Sequence, residues 1–245
     1  MENTKIAYLG KGRFGEAVLE ELGSLNLVVL NDHNEIKITR PGLVIVASYG
    51  KIIPKDVLNI PKYGVINIHP SLLPKYRGAS PIQTAILNSD KMTGISIMLM
   101  DEKMDHGAII SNIQYPISQN YTYKELEKQL AVKGAQLLIE ILPKWIDGKI
   151  KAKEQDHKEA SYTKVFKRED GEIDWKKTPE EIDSQVRAFN PWPGTYTIWR
   201  NKRIKILETE VIKDKLIIKK IQPEGKKPMA MEDFLRGHHG FNPLL

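Results

Sequence analysis

Asn67, His69 and Asp105 are the residues whose types and spacing could do chemistry. Asn67 and His69 sit two apart in the run Val65-Ile-Asn-Ile-His69, and residues two apart in a strand share a face. The carboxamide and the imidazole therefore point one way, Ile66 and Ile68 the other. A carboxamide donates hydrogen bonds, and an imidazole gives or takes a proton near neutral pH. At the C-terminal end of a strand they lie where open α/β sheets bind ligands. A lone histidine there is more often structural, so the third residue matters. Asp105 follows a second apolar run, 94–100, and an adjacent strand would bring it to the same sheet edge. A carboxylate beside an imidazole fixes its tautomer and favours its protonated form.

The surrounding elements must hold these groups still. Pro70 keeps His69 extended and Pro74 stiffens the loop beyond. Ser80-Pro-Ile-Gln83 reads as a helix start, with Ser80 as N-cap, Pro81 first in the helix and Gln83 able to close a capping box. Upstream, 5–9 and 27–30 read as strands around a helix bearing Ala17, Val18, Leu19 and Leu22. Between the first strand and this helix stands Gly10-Lys-Gly-Arg-Phe-Gly15, with Asp32 20 positions after Gly12. Alone, that pattern suggests a dinucleotide site. Alternatively the glycines only make a tight turn and let the helix pack closely. Only His33 to Arg40 separate the second strand from a third, Leu43 to Ala47.

Composition bounds the rest. The 245 residues suffice for one large domain, or a main domain and a small one. The absence of cysteine excludes disulfides, thiolate metal sites and a cysteine nucleophile. No apolar run reaches the ~18 residues of a membrane span, and Met1 to Lys5 carry no signal pattern. A cytoplasmic monomer without membrane attachment is expected. The net charge of +6 permits a polyanionic partner. Between Thr195 and Lys227, ten Lys/Arg face four Asp/Glu, an excess equal to that of the whole chain. A basic β surface of this kind suits a phosphate backbone, or is a solvated face whose lysines guard its edges.

The segment Asn67-Ile-His-Pro-Ser-Leu-Leu-Pro-Lys-Tyr-Arg-Gly78, with Asp105-x-Gly107, resembles the core of the 10-formyltetrahydrofolate-dependent formyltransferases. That family includes methionyl-tRNA, glycinamide ribonucleotide and amino-sugar N-formyltransferases. The resemblance implies that Asn67, His69 and Asp105 are the catalytic trio and that 10-formyltetrahydrofolate is the cosubstrate, with no metal. It implies folate contacts from Ser71, Leu72, Leu73 and Pro74, and from Tyr49 and Gly50 in the segment 47–54. Arg187-Ala-Phe-Asn-Pro-Trp-Pro193 and the stretches 161–164, 171–175 and 222–229 resemble the methionyl-tRNA branch in a shortened form. That branch implies tRNA as partner, and Arg77, Arg200, Lys202, Arg203 and Lys205 are its candidate contacts here. Members of the branch generally carry several tens of residues, including a basic acceptor-stem loop, where this chain has His33 to Arg40.

The expected fold is α/β: a Rossmann-like formyltransferase domain over 1–150, a linker over 151–164, and a small, reduced, mainly β (OB-like) domain over 165–245. A helix from Thr122 should kink or break at Pro143. The expected reaction is direct attack of a primary amine on the formyl carbon without an acyl-enzyme. The favoured acceptor is the methionyl amine of methionyl-tRNA, with a nucleotide-linked amino sugar as the smaller alternative. Readings from other classes are an NAD(P)-binding oxidoreductase using Gly10 to Gly15 and Asp32, and a non-catalytic RNA-binding relative. His238-His239 lacks the neighbouring ligands a metal site needs.

Overall fold

The computed structural model describes residues 4–238 and 240–241, which leaves His239 of the His238-His239 pair outside it. In chain order the elements are β1 (Ile6–Gly10), α1 (Gly12–Glu21), β2 (Leu27–Val29), α2 (Glu35–Thr39), β3 (Leu43–Ala47), α3 (Lys55–Leu58), β4 (Val65–His69), β5 (Arg77–Gly78), α4 (Pro81–Leu87) and β6 (Met92–Leu99). There follow β7 (Ile109–Pro116), α5 (Tyr123–Ile146), β8 (Tyr162–Thr163), α6 (Pro179–Phe189), β9 (Thr195–Trp199), β10 (Lys202–Ile212), β11 (Lys215–Pro223), β12 (Met229–Ala230) and α7 (Met231–Gly237). They divide between two compact units. The first holds Met1–Pro81, Met92–Ile117 and Glu125–Lys164, and the second holds Ile82–Lys91, Ser118–Lys124 and Val165–Leu245.

The first unit is built on a six-stranded sheet in the order β2-β1-β3-β4-β6-β7. β2, β1, β3 and β4 run parallel, β6 antiparallel to β4, and β7 antiparallel to β6. β3 and β4 are buried along their whole length, which is why they read as apolar runs broken only by Asn67 and His69. α5 lies on the Ile68 side of β4, so close that a Cβ on Gly134 would stand 2.7 Å from Ile68 Cγ2. Burying an isoleucine contributes about 1.5–3 kcal/mol. That face of β4 is thus committed to the core, and Asn67 and His69 fall on the other.

The glycines after β1 serve packing. A Cβ on Gly15 would stand 2.9 Å from the Ala47 carbonyl oxygen, so glycine lets α1 approach β3, while Gly12 turns the chain at φ +66°. Asp32 accepts hydrogen bonds from the Asn34 N–H, the Tyr49 hydroxyl and the Lys51 ammonium, each at 3.0 Å. This geometry agrees with the structural reading of the Gly10–Gly15 turn.

Two expectations are corrected here. α5 runs through Pro143 to Ile146 without ending there. Pro143 lies in the last turn, so only one helical hydrogen bond is lost, and its carbonyl still accepts from the Asp147 N–H. The stretch 151–164 is not a free tether but part of the first unit. Lys153 and Ile109 exchange two backbone hydrogen bonds of 2.8 Å, Gln155 is buried, and β8 pairs in parallel with β5. Gln155, Ser161 and Thr163 bond the protein's own backbone, while the charged residues of the stretch stay exposed.

The second unit is an open four-stranded antiparallel sheet, β12-β11-β10-β9, the reduced β architecture expected from the sequence. Arg200-Asn201 and Lys213-Asp214 all have positive φ and form the two-residue turns between β9, β10 and β11, the geometry that matches strand twist. α6 opens on a capping box, with Thr178 accepting from the Glu181 N–H and Glu181 from the Thr178 N–H, and Pro179 sits first in the helix. Ile182 and Val186 of α6 pack with Ile204, Ile206, Leu216, Ile221 and Phe234. Among the described residues no helix is long and apolar enough to cross a membrane.

Candidate active site

β4 delivers Asn67 and His69, 8% and 4% exposed, to one side of the sheet. Asp105 reaches them from the loop between β6 and β7. Its Oδ1 stands 3.5 Å from Asn67 Nδ2 and 3.7 Å from His69 Nδ1, and its Oδ2 accepts the Gly78 N–H at 2.7 Å. The route differs from that expected. β6 is antiparallel to β4, with Leu99 opposite Ile66 and Ser96 opposite His69, so the chain leaves β6 at the far end of β4. The loop must then turn back. It closes on a Leu99 N–H to Ala108 carbonyl bond of 2.9 Å, and a Cβ on Gly107 would collide with the Leu99 carbonyl oxygen. Asp105 itself takes the left-handed conformation, φ +49°.

His69 Nε2 lies 2.9 Å from the Tyr76 carbonyl oxygen. A carbonyl only accepts, so Nε2 carries hydrogen and Nδ1 faces Asp105. The tautomer is thus set by the Tyr76 main chain, whereas the sequence had suggested Asp105. Tyr76 is held at φ +59°, and its N–H donates to Ser161 Oγ at 2.9 Å. Nothing in the sequence marked Tyr76 or Ser161 for this. Ser96 was equally missed, though a serine inside the apolar run of β6 is a visible signal. Its Oγ donates to the Ser71 carbonyl at 2.8 Å and accepts the Leu73 N–H at 3.0 Å, pinning the loop after β4.

Several expected contacts lie inside the fold. Ser71 is fully buried and its hydroxyl donates to the Lys75 carbonyl at 2.6 Å, so it ties the loop. Leu73 is buried, while Leu72 and Pro74 keep partial exposure. Tyr49 belongs to the core with Leu9, Leu30 and Val46, its hydroxyl bound to Asp32, while Gly50 beside it is exposed. Burial raises the Tyr49 phenol above its ordinary value, while the Asn34 N–H, then Lys51 and Tyr49, hold the Asp32 carboxyl well below the usual carboxylate range. Arg77 is only 1% exposed, its guanidinium enclosed by Gln155, His157 and Tyr162. It is not available to a nucleic acid.

The other four cations lie on the second unit but not on one face. Arg200 stands in the β9–β10 turn with its guanidinium carbon 4.4 Å from the Trp199 ring centroid. Arg203 and Lys205 pair with Ile198 and Tyr196 on one face of the sheet, and Lys202 lies on the other, with Ile204 and Ile206. Elsewhere in the first unit a cavity of about 530 Å³ is lined by Lys55, Lys62, Tyr63, Val65, Asp101 and Trp145 among others, and by none of the trio. Among the described residues no group of three His, Cys, Asp or Glu could hold a metal ion, and His238 Nδ1 lies 2.9 Å from the Phe234 carbonyl.

The trio therefore gathers an amide donor, an imidazole nitrogen and a carboxylate, able to steady a developing oxyanion and to move a proton. The Formyl transferase family model matches residues 30–142, beginning after the Gly10–Gly15 turn, and the Formyl transferase, C-terminal domain model matches 166–216. Over 237 residues the chain is 41% identical to the Methionyl-tRNA formyltransferase of Carboxydothermus hydrogenoformans, covering 87% of this chain and 76% of that one. It belongs to the methionyl-tRNA formyltransferase family. Two solved structures share the fold. The Methionyl-tRNA formyltransferase from Clostridium thermocellum has a TM-score of 0.71 at 18% identity and covers 90% of this chain and 98% of that one. The N-formyltransferase from Helicobacter canadensis, in complex with folinic acid and dTDP-3-aminofucose, has a TM-score of 0.68 at 19% identity and covers 93% and 98%.

Proposed function

We propose that this protein transfers a formyl group from 10-formyltetrahydrofolate to the amine of methionyl-tRNA. The observation that carries the reading is the convergence of Asn67, His69 and Asp105 in a chain of this family. As the amine nitrogen bonds to the formyl carbon, the formyl oxygen gains charge. Asn67 Nδ2 donates to that oxygen, and His69 in its imidazolium form donates from Nδ1, since its Nε2–H is held by Tyr76. Asp105 takes one proton from the attacking amine through a water. One proton returns to folate N10 as its bond to the carbon breaks, so the proton count closes. No acyl-enzyme intervenes: the chain has no cysteine, and the Ser71 hydroxyl is buried on the Lys75 carbonyl.

Gly50, Leu72 and Pro74 are the folate contacts this reading keeps, being those of the six candidates that retain exposed surface. Arg200, Lys202, Arg203 and Lys205 supply phosphate contacts. The connection from β2 to β3 holds only the short α2. Phosphate contacts position a ligand but read little of its sequence, so discrimination between initiator and elongator tRNA is weak. The test is to incubate the protein with 10-formyltetrahydrofolate and a panel of amines at low salt. The panel includes charged initiator and elongator tRNA and a nucleotide-linked amino sugar. Formyl-methionyl-tRNA is expected, falling steeply as salt rises. Formylation of the amino sugar alone would move the acceptor to that class, and no product with any amine would overturn the reading.

A further inference from the structure

Behind Asp105 lies a polar assembly, buried at Arg77 and Gln155, that the proposed reaction does not use. Gln155 Nε2 donates to the Asp105 carbonyl at 2.9 Å and to the Gly107 carbonyl at 2.7 Å. Its Oε1 accepts from Arg77 Nε at 3.2 Å and Nη2 at 2.6 Å. Arg77 Nη2 also donates to His157 Nδ1 at 2.8 Å, and Nη1 to the Tyr162 hydroxyl at 3.3 Å. The His157 ring stacks on His106 with centroids 3.9 Å apart, and His106 Nδ1 bonds Asp101 Oδ2 at 2.6 Å. Both Arg77 and Gln155 are buried, and the guanidinium meets an amide oxygen, a ring nitrogen and a hydroxyl, none of them a carboxylate.

The assembly touches Asp105 from two sides. Through Gln155 it holds the Asp105 and Gly107 carbonyls, which fixes the left-handed backbone of Asp105 at φ +49°. Through the main chain after Arg77, the Gly78 N–H holds the Asp105 carboxylate. We infer that Gln155 and Arg77 are positioning residues for Asp105: they set the backbone from which its carboxylate meets Asn67 and His69. Neither touches the trio's reacting atoms. The inference rests on the proposed formyl transfer for its kinetic consequence, but not for its structural one.

Gln155→Glu separates positioning from simple packing. A glutamate keeps the shape and still accepts both Arg77 bonds, now as an ion pair, but it cannot donate to the two carbonyls. The folded state should survive while Asp105 is released. The expected result is a roughly ten- to hundredfold fall in kcat, as partners behind a site's first layer of residues usually give. Half-saturation for folate and tRNA should stay within about twofold. Amide hydrogen exchange over 101–108 should speed up, with β4 and β6 unchanged. A folded Gln155→Glu protein with wild-type kcat and unaltered exchange in that loop would overturn the inference. If the wild-type protein forms no formyl product, the proposed function fails, and the exchange measurement alone decides whether Gln155 holds the loop. If Gln155→Glu does not fold, Gln155→Leu, which also lacks the donor, is read by the same two measurements with the same deciding outcomes.

Discussion

Arg77, on the two-residue β5 of the first unit, spends its donors on Gln155, His157 and Tyr162 and is 1% exposed. Arg203, on β10 of the second unit, rests its guanidinium carbon 4.1 Å from the Tyr196 ring centroid, with its Nε buried and without a hydrogen-bond partner among the described residues. By sequence both were phosphate contacts. What separates them is the ring of acceptors that the fold of the first unit closes around Arg77. There, polar groups are turned inward to hold a loop in an unusual shape. In the second unit, Arg200 in a turn and Arg203 on a strand are steadied by aromatic rings. The first arrangement is what geometry-dependent chemistry needs, and the proposed function assigns the second to a charged ligand.

That contrast has consequences of graded size. Arg77→Ala should cost about 3–5 kcal/mol in urea unfolding, because it opens a cavity and strips the partner from buried Gln155. Arg203→Ala should cost about 1–2 kcal/mol, the worth of a partly desolvated cation–ring contact. Equal losses would erase the distinction. A smaller effect belongs to Asp32. Its folded-state carboxyl is depressed by the Asn34 N–H, Lys51 and Tyr49, so its contribution is present above the unfolded carboxylate range of about pH 4 and is lost as pH falls through the folded value. Asp32→Asn should therefore lower the thermal midpoint at pH 7, with the gap narrowing in melts at pH 3. A gap that widens in acid would contradict the sign.

The parts legible in the sequence are those carried by local pattern. The runs of β3 and β4 and the phase of Asn67 against Ile68 depend on neighbours a few residues away. So does the placing of Asn67 and His69 on one face. Asp105 does come to lie beside Asn67 and His69, but its path was not readable, because nothing within 92–99 states that β6 runs antiparallel to β4. Arg77 was misread for a related reason. Its acceptors, Gln155 and His157, lie some 80 positions away in a stretch whose charges look like a solvated linker. Tyr76, whose carbonyl sets the His69 tautomer, acts through its main chain, which no side-chain motif reports.

The division of labour between the two units is tested most directly by single-turnover formylation of methionyl-tRNA across tRNA concentration at low salt. It compares wild type, Asn67→Ala and the double reversal Arg203→Glu with Lys205→Glu. Asn67→Ala should lower the plateau rate by about 10²–10³, the usual loss for one oxyanion donor, and leave half-saturation nearly unchanged. The double reversal should keep the plateau, raise half-saturation, and flatten the log–log salt slope by about 0.7–0.9 for each phosphate no longer neutralised. A near-normal plateau in Asn67→Ala, or a double reversal that lowers the plateau and leaves half-saturation alone, would contradict the account.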